Sequence, residues 1–436
     1  MKASELAIFG GARAVVQTPP GLFDWPLMGG EDETAVIELL RKPNFSDWES
    51  VDSLEKEFSR WLGVRHALTY NSGTSAIEAA LFACGVGPGT EVIVPSLTHW
   101  ASALPAFRLG ATVAFADLSP LTLNLDPASV ERLVTKGTRA IVAVHQHGRP
   151  CDMSALVAIA RSRSVALIED ASQALGSTYK GQKVGTFGDV AALSLNGKSI
   201  AAGEGGMLVT NDRASFERAV AWGHDHRFTA ADTGEPQLRR FAGLPLGGTT
   251  SRMHNLSAAL ARVQLRHLEA RMKIVDAAMN MFWDRLEGLP GIIPHRPPPR
   301  EGSTMGCWYR PLGLYEHSPL GGLSLELFAA AVRAEGVQCE LLSDFRRPLH
   351  LHPRLREGGN AGLPGVPKAR CRCDAGLEAT ENVKAFTVPR FSRLDEAAIE
   401  AHAAAFAKVV QHREELLYAE KHHDVTLEEA GGSRNL

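Results

Sequence analysis

The chain has no long apolar run. Stretches such as Ala140 to Val144 fall far short of the roughly 20 residues needed to span a bilayer as a helix. Lys2 and Glu5 precede only a short apolar stretch that Gly10 and Gly11 interrupt, a poor secretory signal. Cysteine is scarce and scattered: of Cys84, Cys151, Cys307, Cys339, Cys371 and Cys373 only the last two are close. That spacing excludes a disulfide framework and a CxxC zinc site, and it points to a reduced, cytoplasmic protein. Neither sign of charge dominates. Lysine plus arginine number 46 against 49 acidic residues, a formal charge of -3, so no overall cationic field exists to hold nucleic acid or an anionic membrane. Internal repeats and low-complexity tracts are also missing. What is present is an ordinary globular balance, 44% apolar and 22% charged, in 436 residues. At roughly 150 residues per domain, that length allows two or three domains.

The first half alternates short β-branched runs with helical patterns, the signature of a sheet covered by crossover helices. Seven strands are expected: Ala67 to Tyr70, Glu91 to Val94, Thr112 to Ala116, Arg139 to Val144, Val165 to Ile168, Val190 to Ser194 and Gly206 to Thr210. Helical periodicity falls at Ser75 to Cys84, Thr98 to Leu109, Pro127 to Val134 and Met153 to Arg161, and Ser75 with Glu78 has capping-box spacing. Leu256, Leu260, Val263, Leu268, Met272, Val275 and Met279 predict a long helix from about Ser257 that stops before Gly288 and Pro290. A shorter mixed pattern and a final helix from about Asp395 to Glu415 follow. The division expected is residues 1–256 as a large α/β domain with an N-terminal arm, 257–420 as a linking helix and a smaller C-terminal α/β domain, and 421–436 as a disordered tail.

Ligands of open α/β sheets bind outside the carboxyl ends of the strands, which makes the loops there the place to look for chemistry. Asn71-Ser72-Gly73-Thr74-Ser75 leads from the first strand straight into a helix and offers N–H groups and hydroxyls to an anion, a phosphate above all. A plain N-capped turn is the alternative. After the second strand, His99 and Trp100 place two rings that can stack on a flat cofactor or pack in the core. Glu169-Asp170 ends the fifth strand, and an acid there needs a cationic or donor group to face it, either a protonated ring nitrogen or an arginine. The sixth strand leads to Lys198, ahead of Gly203-Glu204-Gly205-Gly206, a candidate Schiff-base nucleophile where most single lysines are merely solvated. An anion turn, stacking rings, a ring-nitrogen acid and a lysine on one sheet are together what pyridoxal phosphate requires.

These residues resemble the DegT/DnrJ/EryC1/StrS aminotransferases, fold type I enzymes dependent on pyridoxal 5′-phosphate that aminate keto-sugars and keto-cyclitols. The matching stretches include NSGTSAIEAALFACGVGPGTEVIVPSLTHWASA, VHQHGRPCDM, IEDASQALGSTYKGQKVGTFGD, GKSIAAGEGGMLVTND and PLHLHP. The resemblance implies a seven-stranded, mostly parallel sheet in the large domain and a homodimer. It also implies that Lys198 carries the cofactor and shuttles the proton, with Asp170 on the pyridine nitrogen and Gln173 on the phenolic oxygen. Gly73, Thr74 and Ser194 would cradle the phosphate, and His99 would stack on the ring. Two departures stand out. One residue fewer than usual separates Ser194 from Lys198, and Thr250 occupies a place where an asparagine or lysine often reaches the neighbouring subunit's phosphate.

The function implied is transfer of an amino group from glutamate or glutamine to a keto-sugar nucleotide or keto-cyclitol, in amino-sugar, aminocyclitol or antibiotic-precursor biosynthesis. The alternatives are a sugar dehydratase on the same cofactor, whose relatives carry histidine in place of the lysine, and a cofactor-binding regulatory protein without turnover. His145/His147, His224/His226 and His350/His352 have no acidic or cysteine partner that completes a metal set, and no metal is expected. GEGG from Gly203 precedes a strand, unlike a dinucleotide fingerprint. The loop from Gly223 to Gly248, with Arg227, Arg239 and Arg240, is expected near the site, its arginines either solvated or facing an anionic substrate.

Overall fold

A computed structural model describes residues 4–44, 47–345, 347–360 and 362–422. The β-branched and small apolar runs form strands β1 (His66–Tyr70), β2 (Glu91–Pro95), β3 (Thr112–Ala116), β4 (Thr138–Val144), β5 (Ala166–Asp170), β6 (Val190–Ser194) and β7 (Gly206–Thr210). Nearly all their residues are buried, as they must be where helices cover both faces. An eighth strand, β8 (Cys371–Cys373), joins the edge from far along the chain and completes the order β1-β7-β6-β5-β4-β2-β3-β8. Only β7 runs against its neighbours, pairing antiparallel with β1 and β6. Arg372 holds β8 in place, its guanidinium on the Glu91 carboxylate of β2 at 2.5 Å.

Local chemistry moves two of the expected helix boundaries. Helix α1 (Gly73–Ala83) is capped by Ser72, whose hydroxyl accepts the Ser75 N–H at 3.1 Å. The expected Ser75–Glu78 box does not form, and Glu78 pairs with Arg108 at 3.2 Å. The periodic stretch Thr98 to Leu109 divides into turns at Trp100–Ser102 and Pro105–Arg108, because the His99 ring caps the first and Pro105 starts the second.

Helix α2 (Asn255–Leu286), about 48 Å long at 1.5 Å per residue, contributes to two cores. Ala258, Ala261, Leu265 and Leu268 pack with Leu193, Leu195 and Val209 of the large sheet. Val275, Met279, Phe282, Trp283 and Leu286 pack instead with Phe328, Phe386, Phe391 and Phe406. This second core covers a three-stranded antiparallel sheet of Ile292–Pro294, Leu312–Tyr315 and Ala385–Thr387, flanked by helices Leu325–Ala334 and α3 (Glu396–Gln411). Asp395 caps α3 through the Ala398 N–H, and the chain then breaks at His412 before a separate helix, Arg413–His422. The rest of the tail expected to be disordered, 423–436, lies outside the described residues. Among the described residues no helix is long and apolar enough to cross a membrane.

Leu6, Val15 and Leu22 from the start of the chain are also buried in the second core. Glu335 secures them: its fully buried carboxylate accepts the N–H of Ala7 (2.8 Å) and of Ala14 (2.9 Å), and Lys408 Nζ at 2.9 Å. Replacing it leaves two N–H groups and an ammonium without this acceptor. Glu335→Ala is expected to cost about 3 kcal/mol in urea unfolding, from the unsatisfied donors, and to expose the first 20 residues to protease. An unchanged midpoint and cleavage pattern would contradict this role.

Candidate active site

Four strands of the large sheet end at one cavity of about 280 Å³. Ser72, Gly73 and Thr74 reach it from the β1 end, His99 and Ala101 follow β2, Asp170, Ser172 and Gln173 come from β5, and Ser194, Asn196 and Lys198 come from β6. All seven residues singled out from the sequence, Gly73, Thr74, His99, Asp170, Gln173, Ser194 and Lys198, therefore line the same space. Ile77, Glu204 and Tyr309 complete the lining.

The turn into α1 is compact because glycine occupies two contact points. A Cβ on Gly206 would lie 2.2 Å from the Ser72 carbonyl oxygen, and one on Gly73 would lie 3.0 Å from the Ser194 Cβ. Side-chain-free backbone at both places lets β7 run beside the turn and lets the α1 start press on the β6 end. The first N–H groups of α1 have no partner within the helix, so this end favours an anion.

Asp170 and Glu169 show how alternation along β5 separates two acids. Asp170 is buried at the cavity, and its carboxylate accepts the Ser102 hydroxyl at 2.7 Å and the Ser172 N–H at 3.1 Å. Ser102 spends its single proton on Asp170, so Thr98, at 3.0 Å, donates to Ser102. Neutral donors thus face this acid, and no arginine is among them. Glu169 points the other way and accepts the N–H groups of Gly185, Phe187 and Gly188 at 2.7–2.8 Å and His145 Nε2 at 3.1 Å. Burial alone would raise its pKa, yet the His145 contact and the backbone donors outweigh burial and hold the carboxyl below its ordinary range.

Lys198 reaches Ser194 despite the short interval between them. Gly197 takes a left-handed turn (φ 62°), and the Lys198 Nζ donates to the Ser194 Oγ at 3.1 Å. Gln173 accepts the His147 N–H through Oε1 at 2.8 Å, which directs its amide N–H groups away from that contact. The exposed ring of His99 lies 5.0 Å from that of Trp100, tilted by 36°; Trp100 itself is absent from the cavity wall.

Of the two readings of the loop arginines, the structure agrees with the one that keeps them off the site, and Arg239 and Arg240 are exposed. Arg227 binds Asp52 and Glu55 of helix Glu49–Leu62, Arg239 donates to the Thr233 carbonyl, and Arg240 lies over Phe241. None of the three lines the cavity. The sequence reading in turn missed Tyr309, whose ring centroid is 5.8 Å from Lys198 Nζ. It arrives from a segment more than a hundred residues downstream of the lysine, and no local motif announces it.

Residues 26–375 match the family described as DegT/DnrJ/EryC1/StrS aminotransferases. The chain is 33% identical over 386 residues to an L-glutamine:2-deoxy-scyllo-inosose aminotransferase of Micromonospora echinospora, covering 86% of this chain and 88% of that protein. It is 40% identical over 256 residues to a GDP-perosamine synthase of Caulobacter vibrioides, covering 57% and 67%. An aminotransferase structure from Psychrobacter cryohalolentis superposes with a TM-score of 0.77 at 26% identity, over 90% of this chain and 99% of the other.

The glycine contacts make a prediction of their own. Gly206→Ala should lower stability by about 2–3 kcal/mol, the usual cost of forcing a carbon into packed backbone, read from the urea midpoint. It should also weaken binding of inorganic phosphate and pyridoxal phosphate in parallel, since the displaced atom is the Ser72 carbonyl. Parent-like stability and parent-like binding would show that β7 and the turn are not in contact.

Proposed function

Because the chain belongs to the DegT/DnrJ/EryC1/StrS aminotransferase family, we propose that it moves the amino group of glutamate or glutamine onto a ring ketone of a keto-sugar nucleotide or keto-cyclitol, with pyridoxal 5′-phosphate as cofactor. The observation that carries the proposal is the lining of one cavity by a lysine amine, a buried carboxylate and an anion-favouring helix start. These donor and acceptor types match the cofactor's three ends: aldehyde, ring nitrogen and phosphate.

In this reading the α1 start, through Gly73 and Thr74, binds the phosphate, with the Ser194 hydroxyl beside it. His99 stacks on the ring face. The Asp170 carboxylate, oriented by Ser102 and the Ser172 N–H, holds a proton on the ring nitrogen. Gln173, whose oxygen is engaged by His147, offers its N–H to the ring oxygen. When bound, the cofactor supplies an electron sink for the pair released as a proton leaves the amino-bearing carbon. Lys198 Nζ would hold the cofactor covalently until the amine of the amino donor takes its place; once freed, it would take up that proton and return it on the other side of the transfer. A lysine at this place speaks against the dehydrating alternative. The glutamine-dependent relative supports glutamine as donor, and both relatives' names support a sugar or cyclitol acceptor. The proposal includes a second copy of the chain beside the site; Thr250, at the place where such a contact is made in the family, is exposed.

The test is a matrix of donors and acceptors. Glutamine or glutamate should bleach the visible absorbance of the cofactor-loaded protein, and one class of keto-sugar nucleotide or keto-inositol should restore it. Lys198→Ala should abolish turnover, and Asp170→Asn should slow it by about 100-fold or more, as for other buried electrostatic groups. Absorbance that no amino donor changes, or full activity in Lys198→Ala, would refute the proposal.

A further inference from the structure

Arg390 belongs to none of the stretches that carry the resemblance. It follows the small-sheet strand Ala385–Thr387 by three residues and reaches across to the large unit. Its Nη1 donates to the carbonyl of Lys198 at 2.9 Å and to that of Cys307 at 3.2 Å. The guanidinium lies over the Trp25 ring, 4.4 Å from its centroid. Burial pushes its pKa down to about 10, which leaves it charged at neutral pH.

The two carbonyls belong to segments far apart in the sequence. One is the loop that carries Lys198. The other leads, two residues on, to Tyr309, which faces the lysine across the cavity. Trp308 (φ 51°) and Arg310 (φ 45°), on either side of Tyr309, have left-handed backbone that bulky residues rarely adopt, so surrounding contacts must hold this strap. Trp308 donates to Asp276 at 2.9 Å, and His147 Nδ1 donates to the Arg310 carbonyl at 3.1 Å. Neither contact ties the strap to the lysine loop. The Ser199 hydroxyl, next to Lys198, meets the Cys307 thiol, and Arg390 joins the same two segments through their backbone carbonyls.

We propose that Arg390 is a positioning residue, a cationic clip that fixes Lys198 and Tyr309 at their separation by binding the Lys198 and Cys307 carbonyls through one guanidinium. It rests on reading Lys198 as the amine that holds the cofactor. A lysine at 390 keeps the charge and has donors enough for the carbonyls, but it lacks the flat face that stacks on Trp25. The clip should therefore be partly retained in Arg390→Lys and lost in Arg390→Gln.

The experiment uses the full chain. In cofactor-free protein, acetic anhydride labelling of Lys198 is followed by peptide mass against pH, with the exposed Lys180 as internal reference. Arg390→Gln should change the Lys198 rate about tenfold and move its pH midpoint, with Lys180 unchanged and Arg390→Lys between. In loaded enzyme, kcat should fall about tenfold or more in Arg390→Gln while the donor KM stays within about threefold. A Lys198 profile and kcat equal to the parent's in a folded Arg390→Gln would overturn the proposal. If that variant does not fold, Arg390→Lys decides: Lys198 labelling shifted from the parent's with Lys180 unchanged supports the clip, and parent-like labelling overturns it. A parent protein that never attaches the cofactor at Lys198 would refute the proposed function instead, a result distinct from either.

Discussion

The close approach of three backbone segments, which requires glycine at 206 and is eased by glycine at 73, is the constraint on which the site depends. β7 sits between β1 and β6, so any thickening at Gly206 would push the turn after β1 away from the loop after β6. With hydrogen in place of a methyl at both positions, the helix start that favours an anion and the loop that carries Lys198 open on the same cavity. The antiparallel insertion of β7 thus has a chemical consequence: it brings an electropositive helix end and a lysine amine to one wall.

The polar groups of the site are arranged in layers of decreasing burial. Glu169 is sealed in the sheet by three backbone donors and a histidine and fixes the Gly185–Gly188 turn against β5. One residue later, Asp170 has two donors among the described residues and so retains acceptor capacity toward the cavity. The desolvation of an acid at the end of an apolar strand is tolerable because Thr98, Ser102 and Ser172 form a hydroxyl and N–H relay around it. A fully saturated carboxylate in that position would have nothing left to offer a ligand.

Much of this was legible in the sequence because local rules and tertiary packing agree there. Thr112–Ala116, Val190–Ser194 and Gly206–Thr210 are strands at the residues expected, and small residues at strand ends marked the cavity loops. Failure came where the signal was short or distant. β8 has three residues, one of them an arginine, and exists because Arg372 finds Glu91, 281 positions away. The cap of α1 lies three positions earlier than the spacing suggests: Ser72 and Ser75 are equally good caps by type, and it is the Ser72 hydroxyl that accepts the Ser75 N–H. Tyr309 and Arg390 were not legible at all. They lie beyond the proline-rich stretch from His295 to Arg300, on segments whose path over the large unit is set by the two cores that share α2.

The central claim is that the amine of Lys198 is the one that holds the cofactor. Borohydride reduction of the protein after incubation with pyridoxal 5′-phosphate, followed by peptide mass mapping, tests it most directly. The account requires the reduced adduct on the peptide that contains Lys198, at about one per chain; an adduct confined to other lysines, or none, would contradict it.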